Sequence, residues 1–127
     1  MNYKKKPEKI IIDNLTNMGK LPPQALEIEE VVLGAIMLEK TSFDRANTLI
    51  NENDFYTESH KEIYKAFKAL SLVNSNIDML TVANYLKTSL KSEICGGLSY
   101  VIGLTNNISS TANLETHCLI LKQKRDI

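Results

Sequence analysis

Apolar residues recur every three or four positions along most of the chain, a spacing that places side chains on one face of an α-helix. The first such stretch covers residues 24–38 and follows Pro22-Pro23, a pair that favours a helix start. Similar patterns predict helices over 43–50, from Ser59 onward, over 79–87, over 98–105 and from about 109 to the end of the chain. No stretch shows a convincing strand alternation. We therefore predict an all-α fold, a compact bundle of about six short helices.

Polar residues before several of these stretches predict where helices begin. Ser42 and Asp78 are the expected N-caps of the second and fourth helices. Ser59 with Glu62 fits a capping box at the start of the third helix. Gly34 lies inside the first helix, where glycine costs roughly 1 kcal/mol relative to alanine. We expect another helix to approach closely at that position.

The apolar faces of the predicted helices indicate which residues form the core. Leu80 and Ala83 are expected to face inward from the fourth helix, and Tyr56 is expected to anchor the loop before the third helix. The residues predicted in the structural core are Val32, Ile36, Phe55, Ile63, Phe67 and Leu70. Since Trp is absent and aromatics make up only 6% of the chain, aliphatic residues must supply most of this core.

Charge is unevenly distributed along a chain whose net charge is zero. Residues 1–20 carry five lysines against two acidic residues, whereas residues 21–121 carry seven basic and twelve acidic residues. An acidic body is a poor ligand for nucleic-acid phosphates, since binding them requires Lys and Arg. We predict a flexible basic arm at 1–21, a helical head at 22–108 and the start of a truncated helical hairpin at 109–127. No capping residue follows Arg125, which indicates a helix that continues in a longer protein.

Motifs that carry chemistry are missing from the sequence. There is no GxxxxGK[ST] phosphate loop, and Cys95, Cys118, His60 and His117 have none of the usual spacings of metal ligands. No apolar run approaches the roughly 20 residues that span a bilayer, and no secretory signal is visible. We therefore expect a cytoplasmic protein without an active site, metal or cofactor in this chain.

Five short segments, in this order, resemble the N-terminal domain of DnaB-family replicative DNA helicases. The segments are Pro22-Pro23 with 27–34, Asp54-Phe55-Tyr56 with His60 and Ile63-Tyr64, Ile77-Asp78 with 80–82 and Leu86, 96–100 with Leu104, and 110–113. Each segment alone is weakly specific, but five at compatible spacings over residues 21–125 form a specific pattern. Ile28, Glu30 and Val31 depart from the family pattern, and residues 1–20 lie outside it.

The resemblance implies a collar domain that carries protein contacts. In this family the head is followed by a hairpin, hairpins pair as dimers within a hexamer, and the collar binds primase and is acted on by a helicase loader. ATP, Mg²⁺, 5′→3′ unwinding and most DNA contacts belong to a motor domain that this chain lacks. The expected hairpin contacts between subunits are Leu114, Cys118 and Leu121, and the expected contacts with a partner such as primase are Lys65, Lys68 and Lys122.

Alternative interpretations remain open at this point. The chain could be a stand-alone helicase-like interaction module from a phage or plasmid, or a helical DNA-binding domain of the initiator type. The lysines of the third helix fit DNA binding in part, although Glu58 and Glu62 oppose it, and a solvated face explains them more simply. The 114–121 stripe could instead pack on its own head, and for Leu114 the two interpretations carry equal weight.

Overall fold

Six α-helices and one 3₁₀-helix, without a strand, make up the part of the chain that the computed structural model describes, namely residues 23–106, 108 and 110–125. The α-helices are α1 (Pro23–Leu38), α2 (Ser42–Asn47), α3 (Glu58–Leu72), α4 (Met79–Thr88), α5 (Leu98–Gly103) and α6 (Leu114–Arg125), with the 3₁₀-helix at Glu52–Asp54. The predicted all-α fold is confirmed. The predicted basic arm lies outside the described residues, and the division into arm, head and hairpin stays a prediction.

The core lies where α1 packs against α2, α3 and α6. All six residues expected there are buried. Tyr64 is the centre of an aromatic cluster, with ring centroids 5.4 Å from Phe55, 5.6 Å from Phe43 and 6.0 Å from Phe67. Burial of each Phe contributes roughly 1.5–3 kcal/mol, so this cluster is a principal source of stability.

The predicted cap at Asp78 is present. Its Oδ1 accepts hydrogen bonds from the backbone N–H groups of Leu80 and Thr81, both at 2.9 Å, and Thr81 Oγ1 accepts one from the Asp78 N–H at 3.0 Å. This reciprocal pair satisfies three N–H groups that the first turn of α4 leaves free. It also sets the phase of the helix, because Val82 and Leu86, four residues apart, become its buried face.

Two other predicted caps are wrong. Ser42 is the first residue of α2 instead of its cap, and its buried Oγ has no partner. Ser59 lies inside α3, which begins at Glu58 after Thr57 and has no side-chain cap. The physical reason is that the helix begins one residue before Ser59, and the backbone N–H of Lys61, which a Ser59 cap would have accepted, already donates to the Thr57 carbonyl at 3.0 Å.

Two predictions of orientation also need correction. Leu80 is largely exposed, and Val82 occupies the inward position that was expected for Leu80. Tyr56 is exposed too, so Phe55 alone anchors the loop on the core. By contrast, the close approach expected at Gly34 is present. The backbone carbonyl of Leu104, directly after α5, lies so near to Gly34 that a Cβ there would clash with its oxygen.

Candidate functional site

A groove of about 830 Å³ opens between α1, α5 and α6. Its apolar lining comes from Ile28, Val31, Leu104, Ile108 and Ile120. Glu27 and Glu30 lie on the α1 side and Ser99, Tyr100 and Gly103 on the α5 side, and no Lys or Arg stands among the described residues that line it. Its lining is complementary to a segment with apolar and cationic side chains, and we call it the acidic-rimmed groove.

One wall of this groove belongs to a chain of hydrogen bonds that runs into the core. Tyr100 Oη donates to Glu30 Oε2 at 2.6 Å and lies 2.6 Å from His60 Nε2. His60 Nδ1 is in turn 2.6 Å from Glu29 Oε1, and both His60 and Glu29 are fully buried. Glu29 Oε2 also accepts the backbone N–H of Tyr56 at 2.7 Å. The four side chains connect α1, α3 and α5.

The geometry of this network gives both ring nitrogens of His60 a partner. Burial, followed by the hydrogen bond to Glu30, raises the pKa of Tyr100, so its hydroxyl stays neutral and its single proton points to Glu30. The Nε2 atom of His60 contacts Tyr100 Oη, and its Nδ1 atom contacts Glu29 Oε1. The buried ring therefore leaves neither nitrogen without a hydrogen-bond partner.

Sequence reasoning missed the role of this network, although a usable pattern was present. Glu29 lies four residues after Ala25 and three before Val32, which places it on the buried face of α1. His60 likewise precedes Ile63 and Tyr64 by three and four positions on the buried face of α3. A carboxylate and a histidine on two facing apolar surfaces predict a buried pair, since isolated buried charges are costly.

Of the three lysines predicted to contact a partner, two form ion pairs with the 3₁₀-helix and one with its own helix. Lys68 Nζ lies 2.9 Å from Glu52 Oε1, and Lys122 Nζ lies 3.3 Å from Asp54 Oδ2. Lys65 pairs with Glu62 at 3.1 Å, and these contacts raise the pKa of Lys65. The structure thus brings residues of α3 and α6 to one surface where acidic neighbours balance the lysines. Their contact with a partner stays a prediction.

The apolar stripe of α6 faces the head of its own chain. Leu114, Cys118 and Leu121 are each at most 1% exposed and belong to the core. Their expected contact with another subunit stays a prediction that a single chain does not test. Leu119, on the same helix, is half exposed and is available to a second copy.

Arg45, which the sequence did not single out, attaches the start of α6 to α2. Its Nε and Nη2 donate to the two carboxylate oxygens of Glu115, both at 2.7 Å, and Nη2 also donates to the Thr111 carbonyl at 3.0 Å. Glu39 accepts from Arg45 Nη1 at 3.0 Å and from Thr111 Oγ1 at 2.6 Å. The hydrogen bonds from Arg45 lower the pKa of Glu115 to about 2.

The described residues include no cluster of three His, Cys, Asp or Glu side chains that could hold a metal ion. Cys95 and Cys118 are free, buried thiols, and burial raises the pKa of Cys95 to about 11 and that of Cys118 to about 12. Over the part of the chain that is described, no helix has the length and apolar character needed to cross a membrane.

Comparison with known proteins adds an independent line of evidence. The sequence model of the DnaB-like helicase N-terminal domain matches residues 21–123. The replicative DNA helicase DnaB of Rhodothermus marinus is 36% identical over 106 residues, which are 84% of this chain and 11% of that protein. The replicative DNA helicase DnaC of Bacillus subtilis (strain 168) is 35% identical over 105 residues, 83% of this chain and 23% of that protein. This chain thus spans less than a quarter of either relative.

The fold leads to the same family. The crystal structure of the N-terminal domain of DnaB helicase from Mycobacterium tuberculosis superposes with a TM-score of 0.76 at 28% identity, covering 83% of this chain and 76% of that chain. The helices, the order of the sequence segments and the family match therefore agree over nearly the whole described region. This chain belongs to the DnaB-like helicase N-terminal domain family.

Proposed function

We propose that this domain is the collar of a replicative DNA helicase, where it mediates association between subunits and binds primase and a helicase loader during DNA replication. The observation that carries the proposal is the family match over residues 21–123. The lack of a phosphate-loop motif supports a role in binding rather than catalysis. In this proposal ATP and Mg²⁺ binding and 5′→3′ unwinding belong to the length of the relatives that this chain does not cover.

Self-association in this proposal uses the outer face of α6. The inner face is already packed on the head by Leu114, Cys118 and Leu121, so these residues would support an interface by holding the helix in place. Leu119 is the exposed apolar residue of α6 and would meet the second copy. Sedimentation velocity of the chain and its Leu119→Lys variant tests this step, and equal association of both proteins would contradict it.

Primase binding in this proposal uses the surface around the 3₁₀-helix. Lys65, Lys68 and Lys122 lie there with exposed or half-exposed side chains, and charged groups at the rim of an interface chiefly set specificity and association rate. The triple charge reversal of these residues to Glu should weaken binding of the cognate primase by about tenfold, roughly 1.4 kcal/mol. Charge reversal at Lys87, an exposed residue of α4, is the matched control.

The same proteins separate the proposal from its main rivals. Unchanged primase affinity in the triple variant, with the control also unchanged, would remove the lysine surface from the proposal. Duplex DNA binding measured at low salt distinguishes a DNA-binding domain, because contacts to phosphates make binding tight and steeply dependent on salt. We expect no such binding, since residues 21–121 carry more acidic than basic residues.

A further inference from the structure

The acidic-rimmed groove has the chemistry of a site for one particular kind of peptide. Ile28 and Val31 of α1 face Leu104, Ile108 and Ile120 across it, and all but Leu104 are only partly buried. Partly exposed apolar side chains around a concave surface of this size favour an apolar ligand that removes them from water. A volume of about 830 Å³ accommodates several aliphatic side chains in a row.

The charge of the groove specifies what should flank those apolar side chains. Glu27 is exposed, and Glu30 turns one carboxylate oxygen to the Tyr100 hydroxyl at the groove wall. Because the described lining residues include no cation, these carboxylates have no basic partner among them. A lysine next to the apolar run of the ligand would supply the missing charge.

The chain itself contains a segment with this composition. Lys9 is followed by Ile10, Ile11 and Ile12, three consecutive β-branched residues, and the preceding residues 4–6 are all Lys. This run of isoleucines lies outside the segments that resemble known helicases, and the resemblance gives it no role. Residues 1–20 as a whole carry five lysines against two acidic residues, the opposite sign to the rest of the domain up to residue 121.

The tether between this segment and the groove is long enough. Residues 13–22 join the isoleucine run to α1, and ten residues reach up to about 33–36 Å. Glu27 and Val31 are four and eight residues after the start of α1, or about 6–12 Å along its axis. A segment attached by so short a tether is present at an effective concentration in the millimolar range, so even weak intrinsic affinity keeps it bound.

We propose that the segment Lys9-Ile10-Ile11-Ile12 of the basic arm folds back and occupies the acidic-rimmed groove of its own chain. The isoleucines lie on the apolar surface between α1, α5 and α6, and the lysines of the arm face Glu27 and Glu30. The arm then acts as an intramolecular ligand, and a partner that binds the groove must first displace it.

Paramagnetic broadening in the full chain tests this placement. A nitroxide is attached to Asn14→Cys, and methyl signals are recorded with the label oxidised and then reduced. Native Cys95 and Cys118 are buried and their thiol pKa values are raised, so they do not compete for the label. We expect selective loss of intensity at Val31, Leu104 and Ile120, and unchanged signals at exposed Leu72 and Leu90, which do not line the groove.

Two pairs of variants make the result specific. Ile11→Asp, in the labelled chain, should abolish the broadening, whereas Leu15→Asp, outside the isoleucine run, should leave it. In the groove, Ile120→Glu should abolish it and Leu119→Glu, the neighbouring residue outside the lining, should not. The arm variant alters no residue of the described fold, so its result stands even if Ile120→Glu disturbs α6.

To distinguish the arm of the same chain from that of a second copy, chains that carry the nitroxide are mixed with isotope-enriched chains that carry none. Broadening that occurs only within the molecule that carries the nitroxide, and not in the enriched chains of the mixture, supports the proposal. Broadening between molecules would assign the groove to a second copy and overturn it. Uniform broadening, no broadening, or broadening that survives Ile11→Asp would overturn it as well.

Discussion

A carboxylate and an imidazole that the sequence analysis did not pair are fully buried in the described part of this domain. Glu29 and His60 are fully buried, and Glu29 holds His60 as well as the backbone of Tyr56 and Thr57 before α3. Tyr100 extends the network toward the groove. Removal of one partner from a buried ionisable group is strongly destabilising. Substitutions of Glu29 and Tyr100 should therefore differ in how far they lower the free energy of unfolding.

The first prediction concerns this difference. Glu29→Ala should lower the free energy of unfolding by about 3–5 kcal/mol, because it leaves buried His60 and two part-buried backbone N–H groups without their partner. Tyr100→Phe removes one hydroxyl at the half-buried end and should cost about 1 kcal/mol. Urea denaturation measures both values, and equal losses would contradict the network as described.

The second prediction concerns the two cysteines. Because burial raises the pKa of Cys95 to about 11 and of Cys118 to about 12, neither forms a thiolate at pH 8, and the thiolate is the reactive species. Iodoacetamide should therefore modify neither residue in the folded protein and both in denaturant, as counted by mass spectrometry. Rapid modification of either one under native conditions would show that its burial is not maintained.

Single elements of this fold depend on close packing at their ends as much as on their apolar faces. The carbonyl after α5 approaches α1 at Gly34, where a Cβ would also come within 2.9 Å of Ile108 Cγ1. At Gly103, the last residue of α5, the nearest atom to such a Cβ among the described residues is Asn106 Nδ2 at 3.9 Å. The two helical glycines therefore have different reasons to be glycine.

The third prediction separates them. Gly34→Ala should destabilise the domain by about 1–3 kcal/mol, since the backbone of Leu104 must move to admit the methyl group. Gly103→Ala should be neutral or stabilise it by up to about 1 kcal/mol, since alanine is the better helix former. Thermal unfolding of both variants measures the difference, and a stabilising Gly34→Ala would refute the close approach.

At the scale of the whole molecule, long-range polar contacts hold the last helix on the rest. Arg45 of α2 binds Glu115 of α6 through two hydrogen bonds and also reaches Thr111 and Glu39. Lys122, further along α6, pairs with Asp54 of the 3₁₀-helix. These contacts set the orientation of α6, and with it one wall of the acidic-rimmed groove.

The fourth prediction is a pH dependence of this attachment. The pKa of Glu115 is about 2 in the folded protein against an ordinary 4.5, so the interaction stabilises the fold above pH 4.5 and is lost as the pH falls toward 2. Arg45→Met should therefore lower the melting temperature at pH 7, and its difference from the wild type should narrow below pH 4.5. For Glu115→Gln, the difference in melting temperature from the wild type should also narrow below pH 4.5. A difference in melting temperature that stays constant with pH would contradict the contribution assigned to Arg45 and Glu115.

Local sequence determined the elements of this protein, and tertiary structure decided how they are used. Helical periodicity predicted the helices and the buried residues such as Phe67, and Asp78 caps α4 as expected, since caps and apolar faces depend on residues within one or two turns. Ser59 does not cap α3, which begins at Glu58, and the segment just before the helix is bound by Glu29, a residue distant in sequence. Three features arise only when the helices pack: the orientation of the apolar side of α6, the pairing of Glu29 with His60, and the groove between three helices. Each of them depends on contacts between residues far apart in the chain.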